Sequence, residues 1–233
     1  MALAGEFTAT LIHSREIAPE VRHFVFEVPE RLVFVPGQFL LLWAPIGGAI
    51  VKRAYSIASP PDGNRFALCL NRVQEGLFSP YLFDLRPGDT VQLRGPYGSF
   101  RWREPACDCL LVATGTGIAP FRSMLKARLP GDARNRYTLV YGLRYEAGIL
   151  YRAEFAEMAA RHRNFAFRPT LTRPGPGWTG RAGRVQGHVL EAAGPRRDLD
   201  AYICGLWEMV REVRDMLLER GFERSRVHYE RYD

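Results

Sequence analysis

The pattern of apolar residues changes at Glu104-Pro105, and this change limits the fold more than any other feature of the chain. Before that point, short apolar runs are separated by turn residues. After it, apolar runs of strand length alternate with amphipathic segments of helix length. Because each pattern is typical of a different layer architecture, the chain is unlike a single uniform sheet or bundle. We therefore predict two domains, 1–103 and 104–233.

The first half is built of runs with the composition and length of β-strands. They are FTATLIH, VRHFVFEV, QFLLLW, AYSIAS, FALCLNRV and VQLRG. Turn signals such as Pro36-Gly37 and Pro87-Gly88-Asp89 separate them, and one short helix is expected over 79–85. Six short strands with such punctuation predict a six-stranded antiparallel β-barrel.

The second half alternates five strands with four helices. Its strand-like runs are CLLVAT, TLVYG, FAFRPTL, AYICG and VHYERY. Helices are expected after Gly117 and over about 151–162, 185–193 and 207–220. This alternation predicts an α/β domain with a doubly wound five-stranded parallel sheet and right-handed crossovers.

Charge and composition exclude several classes of protein. The 233 residues include 32 Lys+Arg and 25 Asp+Glu, which gives a net charge of +7 and would suit nucleic acid or anionic lipid. The basic residues are dispersed, however, and no basic run is longer than two residues. No stretch approaches the roughly 20 apolar residues that a membrane helix needs, and the N-terminus lacks the pattern of an export signal. We expect a cytoplasmic protein that binds neither membrane nor nucleic acid.

The four cysteines indicate neither a disulfide framework nor a metal site. They stand at 69, 107, 109 and 204, and no C-x2-C pair is present. Cys107-x-Cys109 offers at most two ligands at the entrance to a strand. We expect no metal.

A glycine-rich turn follows the first strand of the second half. Ligands of parallel open sheets bind at the carboxyl ends of the strands, where this chain has Thr114-Gly115-Thr116-Gly117 at the start of a helix. Glycines allow close approach of a phosphate, and a helix N-terminus attracts it. Pro120 is tolerated in a first helical turn. Gly115-x-Gly117 alone would equally fit any tight strand-to-helix turn, and the third glycine of a dinucleotide fingerprint is absent.

Arginines follow the next two strands. Arg144 stands where an NAD-binding unit often has an acid for the ribose hydroxyls, and Arg173 follows the third strand. Guanidinium groups match phosphate oxygens bidentately, so this pair suits a 2′-phosphate. Arg181 and Arg184 add charge in a glycine-rich loop, although each taken singly reads better as a solvated surface arginine.

An ordered series of motifs resembles one known family. The series is Arg53-Ala54-Tyr55-Ser56, Gly76-Leu77-Phe78-Ser79, Gly95-Pro96-Tyr97-Gly98, Gly115-Thr116-Gly117-Ile118-Ala119-Pro120 and Cys204-Gly205. It is similar to the series of the ferredoxin–NADP(+) reductase family, over nearly the whole chain. The resemblance implies an FAD-binding barrel followed by an NAD(P)-binding domain. Its implied cofactors are FAD and NADP(H), with NAD(H) as the alternative.

The resemblance also implies roles for residues of the flavin site. Arg53 would pair with the flavin pyrophosphate, Tyr55 would lie against the isoalloxazine ring beside Ala54, and Ser56 would hydrogen-bond near flavin N5. These residue types suit a diphosphate, a flat ring and an atom that gains a hydride. The segment Gly76, Leu77, Phe78 and Ser79 resembles a phosphate-binding helix start, with Ser79 as a helix cap.

Residues near the nicotinamide are implied in the same way. Cys204, followed by Gly205, resembles the family's cysteine beside the nicotinamide, where it would help to place the ring; a small buried cysteine at a strand end is the alternative reading. Glu230 would lie near the nicotinamide, and Tyr232 would cover the flavin face. Asp233 departs from the family pattern because it follows the aromatic residue.

The implied activity is hydride transfer between NADPH and flavin N5, with Ser56, Cys204 and Glu230 as the catalytic residues. Electrons would pass to a separate one-electron carrier, an acidic redox protein such as ferredoxin or flavodoxin, or an oxygenase component. We expect a monomer. The alternative activity is that of an NAD(P)H:flavin reductase, which uses free flavin as substrate.

Overall fold

A computed structural model describes residues 5–232, so 1–4 and Asp233 lie outside the described chain. The chain divides into two compact units. The first runs up to Trp102 and includes Ala119–Ala127. The second contains Arg103–Ile118 and the chain from Arg128 onward.

The first unit is an antiparallel sheet with one short helix. Its elements are β1 (Gly5–Ala18), β2 (Val21–Glu27), β3 (Phe39–Ile46), β4 (Ala49–Ser56), β5 (Arg65–Asn71), α1 (Phe78–Asp84) and β6 (Thr90–Tyr97). The strand order is β4-β3-β6-β1-β2-β5. An isolated antiparallel bridge between Ile57 and Leu68 joins the chain just after β4 to β5, at the other end of the sheet. The predicted six-stranded antiparallel barrel is confirmed as a half-barrel.

Alternation of apolar side chains places the core inside this half-barrel. On β3, Leu40, Leu42 and Ala44 are buried, and the residues between them are more exposed. Phe24 and Phe26 of β2 project into the same apolar cluster. Burial of each such side chain stabilises the fold by roughly 1.5–3 kcal/mol. A shift of one residue in strand pairing would expose these side chains, so the core sets the pairing register of the strands.

The second unit is a parallel sheet with helices in its crossovers. In chain order the elements are β7 (Cys109–Thr114), α2 (Ile118–Arg128), β8 (Tyr137–Leu143), α3 (Arg152–Arg161), β9 (Phe165–Leu171), β10 (Arg181–Ala182), α4 (Val185–Ala193), β11 (Asp200–Leu206), α5 (Trp207–Glu219) and β12 (Val227–Tyr232). The order β10-β9-β8-β7-β11-β12 contains the five predicted strands, and the two-residue β10 extends one edge. Strand order reverses between β7 and β11, which marks the switch point where such sheets bind ligands.

Helix α2 begins in the second unit and continues in the first. Residues Ala119–Ala127 count with the barrel. Phe121 packs edge-on against Phe100 with ring centroids 5.7 Å apart. Trp102 Nε1 donates a hydrogen bond of 3.4 Å to the Met124 carbonyl. The sequence pattern placed this helix in the nucleotide-binding half, because periodicity does not reveal which core a helix joins.

Two kinds of feature are absent from residues 5–232. Neither α2 nor any other helix there has the length and apolar character required to cross a membrane. The same residues contain no group of three or more His, Cys, Asp or Glu side chains arranged to hold a metal ion.

Candidate active site

The first flavin motif lies on β4, an edge strand of the half-barrel. Arg53, Ala54, Tyr55 and Ser56 pair with Leu42, Leu41, Leu40 and Phe39 of β3. Lys52, Arg53 and Ala54 are all exposed, whereas Ser56 is only 5% exposed. The exposed part of β4, 52–54, is accessible to a ligand, and the strand is anchored at its buried end by Ser56.

The second flavin motif meets the first through two aromatic rings. Phe78, at the start of α1, stacks on Tyr55 with centroids 6.1 Å apart and an interplanar angle of 27°. Burial raises the pKa of the Tyr55 hydroxyl, against the opposing effect of the Arg53 charge, so the phenol stays neutral. Phe78 is buried, so it supports the half-buried Tyr55 ring from behind, and Tyr55 next to the Arg53 cation fits a flavin ring and its diphosphate.

Ser79 does not cap α1, so that expectation is wrong. The N-cap residue is Leu77, which makes no side-chain cap hydrogen bond. The Ser79 hydroxyl oxygen instead accepts a 2.9 Å hydrogen bond from the backbone N–H of Val73, and the N–H of Gly76 donates to the Val73 carbonyl at 2.9 Å. Ser79 thus orders the turn before the helix.

The glycine-rich turn after β7 packs directly on the end of β11. Gly115–Gly117 forms a 3-10 turn, and Pro120 is the third residue of α2. A Cβ on Gly117 would overlap the carbonyl oxygen of Cys204, and a Cβ on Gly205 would overlap the Thr114 hydroxyl. The two strand ends therefore approach closely because both positions lack side chains.

Thr114 has a buried polar atom beside the glycine-rich turn. Its Oγ1 is buried and has no hydrogen-bond partner within the described chain. A buried hydroxyl without a partner costs about 1–3 kcal/mol. Beside the start of a helix, a hydroxyl of this kind fits the polar end of a nicotinamide nucleotide.

Tyr141 is a site residue that the sequence analysis missed. Its ring is fully buried, and its hydroxyl donates a 2.9 Å hydrogen bond to the carbonyl of Gly115. A buried tyrosine at the carboxyl end of a predicted strand is the signal that could have found it, since such a hydroxyl needs a partner.

The structure brings the two predicted phosphate-binding arginines together. The N–H of Arg173 donates a 2.8 Å hydrogen bond to the carbonyl of Arg144, just beyond the ends of β8 and β9. Both side chains are exposed. Arg173 Nη1 also donates to the Tyr145 hydroxyl at 3.2 Å, which raises the pKa of the guanidinium. Tyr145 was missed because its partner is 28 residues away.

The loop arginines differ from this pair. Arg181 Nη2 lies 3.2 Å from Glu191 Oε1, and this hydrogen bond lowers the pKa of the glutamate. Arg184 is the N-cap residue of α4 and is exposed. Arg181 is thus paired with a carboxylate, which distinguishes it from Arg144 and Arg173.

Cys204, Glu230 and Tyr232 lie at the adjoining ends of β11 and β12. Cys204 pairs with Glu230 across the strands and is completely buried. Burial, and then the charge of Glu230, raises the pKa of the thiol, while a hydrogen bond with Tyr232 lowers it. The net effect keeps Cys204 protonated, which suits a residue that shapes a pocket and does not suit a nucleophile.

The two sites define a class of protein, an oxidoreductase with a flavin-binding barrel and a nicotinamide-nucleotide domain. The model of the oxidoreductase FAD-binding domain matches residues 8–102, and that of the oxidoreductase NAD-binding domain matches 111–215. FAD and NAD(P) are therefore the cofactors of these domains.

The chain belongs to the ferredoxin–NADP reductase family. It is 43% identical over 245 residues to ferredoxin–NADP reductase B of Sorangium cellulosum (strain So ce56), with all of both chains covered. It is 30% identical to the toluate 1,2-dioxygenase electron transfer component of Pseudomonas putida, where 87% of this chain covers 60% of that protein. The crystal structure of the Amycolatopsis cytochrome P450 reductase GcoB matches with a TM-score of 0.91 and 28% identity, over 98% of this chain and 70% of that one. The predicted family, fold class and flavoenzyme activity are confirmed.

Proposed function

We propose that this chain moves electrons between NADPH and a separate acidic one-electron carrier, such as ferredoxin, flavodoxin or an oxygenase component. The observation that carries the proposal is the Arg144–Arg173 pair, held together by a 2.8 Å backbone hydrogen bond at the nucleotide-binding edge of the sheet. Two arginines that start from neighbouring backbone positions at this edge would favour a 2′-phosphate over ribose hydroxyls. The Sorangium and Pseudomonas relatives, as named, support electron transfer as the reaction class.

At the flavin site, each residue has a proposed task. Arg53 binds the flavin pyrophosphate, the Tyr55 ring lies against the isoalloxazine, and Ser56 directs its hydroxyl to N5. Gly76, Leu77, Phe78 and Ser79 shape the phosphate-binding turn. When bound, the flavin supplies hydride acceptance and one-electron release, so the protein's contribution is alignment and hydrogen bonding.

At the nucleotide site, Thr114, Gly115, Thr116 and Gly117 receive the pyrophosphate end, and Pro120 starts the helix behind them. The neutral Cys204 thiol packs beside the nicotinamide. Glu230 provides a carboxylate near its amide, and Tyr232 keeps the thiol hydrogen-bonded. Tyr232 as a cover for the flavin face is a further part of the proposal, and removing 232–233 tests it through the flavin spectrum and the coenzyme affinity.

The carrier is proposed from charge. The chain carries a net charge of +7, and Lys52 is exposed on the flavin-motif strand. A basic surface accelerates encounter with an acidic partner and makes the rate dependent on ionic strength. We propose a cytoplasmic monomer with the flavin domain in 1–103 and the nucleotide domain in 104–233.

Coenzyme selectivity tests the arginine pair. In Arg144→Ala plus Arg173→Ala, we expect the NADPH/NADH ratio of kcat/KM to fall by about 10- to 100-fold, through a higher KM for NADPH, because charge-assisted hydrogen bonds to the 2′-phosphate are lost. Arg181→Ala is the matched control, since Glu191 already pairs with that side chain. An unchanged ratio in the double variant would show that the pair does not select NADPH.

The second candidate is an NAD(P)H:flavin reductase, which uses free flavin as its substrate. Such an enzyme binds flavin as a loose substrate and purifies almost colourless. A carrier reductase purifies yellow and reduces ferredoxin or flavodoxin at rates that fall as salt rises from 0.05 to about 0.5 M. Colourless protein that reduces only added flavin would favour the second candidate.

A further inference from the structure

Arg122 is a buried cation that hydrogen-bonds to the backbone just after β4, the strand that carries the first flavin motif. The residue is 8% exposed and lies on α2. Its Nη1 donates a 2.7 Å hydrogen bond to the carbonyl of Ala58, two residues after β4 ends at Ser56. The adjacent Ser123 is fully buried, and its hydroxyl donates a 2.6 Å hydrogen bond to the carbonyl of Ser59. Two consecutive helix residues thus hold two consecutive carbonyls.

The same segment is held from its other side by the barrel. The N–H of Ile57 donates to the Gln38 carbonyl at 3.0 Å, and the N–H of Ala58 donates to the Ala67 carbonyl at 2.7 Å. The Ser59 hydroxyl accepts a 3.0 Å hydrogen bond from the N–H of Ala67. Main-chain groups of 57–59 are therefore fixed between the barrel and α2.

Other contacts also dock the helix on the barrel. Phe121 already packs against Phe100, and Trp102 already hydrogen-bonds the Met124 carbonyl. Burying a guanidinium and ordering its long side chain are costly. A charged donor on the Ala58 carbonyl is therefore suited to holding that carbonyl in position.

We propose that Arg122 and Ser123 are positioning residues of the flavin site. By fixing the Ala58 and Ser59 carbonyls, they hold the carboxyl end of β4, so that the Tyr55 ring and the Ser56 hydroxyl keep their places against the flavin. This inference rests on the proposed flavin-binding role of β4. It gives α2, which begins at the glycine-rich turn, a role in holding β4 of the barrel in place.

Four variants test the proposal in the holoenzyme. Arg122→Met keeps the length of the side chain but cannot donate, Arg122→Lys can donate, and Ser123→Ala removes the second donor. Trp102→Phe is the matched control, because it removes a hydrogen bond to the same helix away from Ala58 and Ser59. Measurements are the FAD Kd, the visible spectrum of bound FAD, the melting temperature, and kcat and KM for NADPH with ferricyanide as acceptor.

We expect Arg122→Met to raise the FAD Kd about tenfold or more and to lower kcat. The absorption bands of bound FAD should lose their fine structure, and the KM for NADPH should stay within about twofold of wild type. Ser123→Ala should show a smaller change in the same direction, and Arg122→Lys should recover most of the loss. Trp102→Phe should lower the melting temperature without altering the flavin spectrum or kcat.

Two results would overturn the inference. One is wild-type FAD Kd, spectrum and kcat in both Arg122→Met and Ser123→Ala. The other is equal loss of flavin properties in Trp102→Phe at a matched fall in melting temperature. If Arg122→Met does not fold, Ser123→Ala and Arg122→Lys decide by the same criteria. Failure of the proposed function is separate, since wild-type protein would then retain no FAD or oxidise no NADPH.

Discussion

At Gly117, the absence of a side chain is required by a neighbouring strand. A Cβ there would overlap the Cys204 carbonyl, and the obstacle is backbone, which cannot move aside as a side chain can. We expect Gly117→Ala to destabilise the protein by about 1–3 kcal/mol and to weaken NADP(H) binding at least tenfold, with FAD retained. Urea unfolding and coenzyme titration measure the two effects.

Gly187 is the matched control for this substitution. It lies inside α4, and nothing stands within 4 Å of a Cβ added there. Gly187→Ala should therefore stabilise the protein by up to about 1 kcal/mol through helix propensity and leave coenzyme binding unchanged. Equal effects of the two substitutions would contradict the close packing of the turn on β11.

Cys204 gives a prediction about pH. Burial raises the pKa of its thiol, so the group stays protonated through the neutral and mildly alkaline range. We expect Cys204→Ala to change the size of kcat/KM but not its pH profile between about pH 6 and 9. A limb of the wild-type profile that disappears in the variant would show that the thiolate takes part.

The proposed site residues that stand in motifs and those that the motifs do not name differ in where their hydrogen-bond partners lie. Arg53, Tyr55, Gly117 and Cys204 stand in ordered sequence motifs, so the sequence alone could find them. Tyr141, Tyr145 and Arg122 act on groups 26, 28 and 64 residues away, two of them backbone carbonyls. No local pattern encodes such a partner, because any residue type has a carbonyl.

Among the elements, those with strong periodicity were predicted best. Helix α4 occupies Val185–Ala193, the predicted range. Strand β1 extends to Ala18, beyond the predicted 7–13, because polar residues there pair with β2. Strand β4 begins at Ala49, five residues before its predicted start. The Gly47-Gly48 pair before it, with both φ values positive, is a hairpin signal that could have found this start.

The turn between α2 and β8 is organised by one carboxylate. Asp132 accepts hydrogen bonds from the Asn135 amide at 2.9 Å and the Tyr137 hydroxyl at 2.7 Å, and also from the N–H groups of Arg134 and Asn135. Burial acts to raise the pKa of this carboxyl, but the hydrogen bonds outweigh it and lower the pKa below its ordinary value. The ionised form is therefore favoured in the folded state.

This lowered pKa predicts how the contribution of Asp132 varies with pH. The stabilisation is present above the ordinary carboxyl pKa of about 4 and is lost as pH falls toward the lower folded value. We expect Asp132→Asn to cost about 1 kcal/mol at pH 7, after allowance for partial exposure, and less at pH 3. Urea unfolding at both values measures this. Glu219→Gln, at an exposed position, serves as the control, and a cost that grows on acidification would contradict the assignment.

At the scale of the whole chain, helix α2 predicts how fragments behave. A fragment of residues 1–103 lacks Ala119–Ala127, which count with the barrel. We expect this fragment to bind FAD at least tenfold more weakly than the full chain and to unfold at lower urea, since the Ala58 and Ser59 carbonyls and the Phe100 ring lose their partners. Fluorescence titration with FAD measures the first effect. Binding equal to that of the full chain would show that α2 contributes nothing to the flavin unit.

Because most of α2 counts with the barrel although it follows the domain boundary in sequence, it affects how domains can be swapped between such reductases. A chimaera joined at 103/104 between this chain and a relative would bring in a foreign helix, whose residues at 121–124 must fit the resident barrel. A recipient that keeps its own Phe121, Arg122, Ser123 and Met124 inside the grafted half retains the contacts to Phe100, Ala58, Ser59 and Trp102. We therefore expect transfer of coenzyme preference between relatives to work best when this turn of α2 is kept together with the barrel that it contacts.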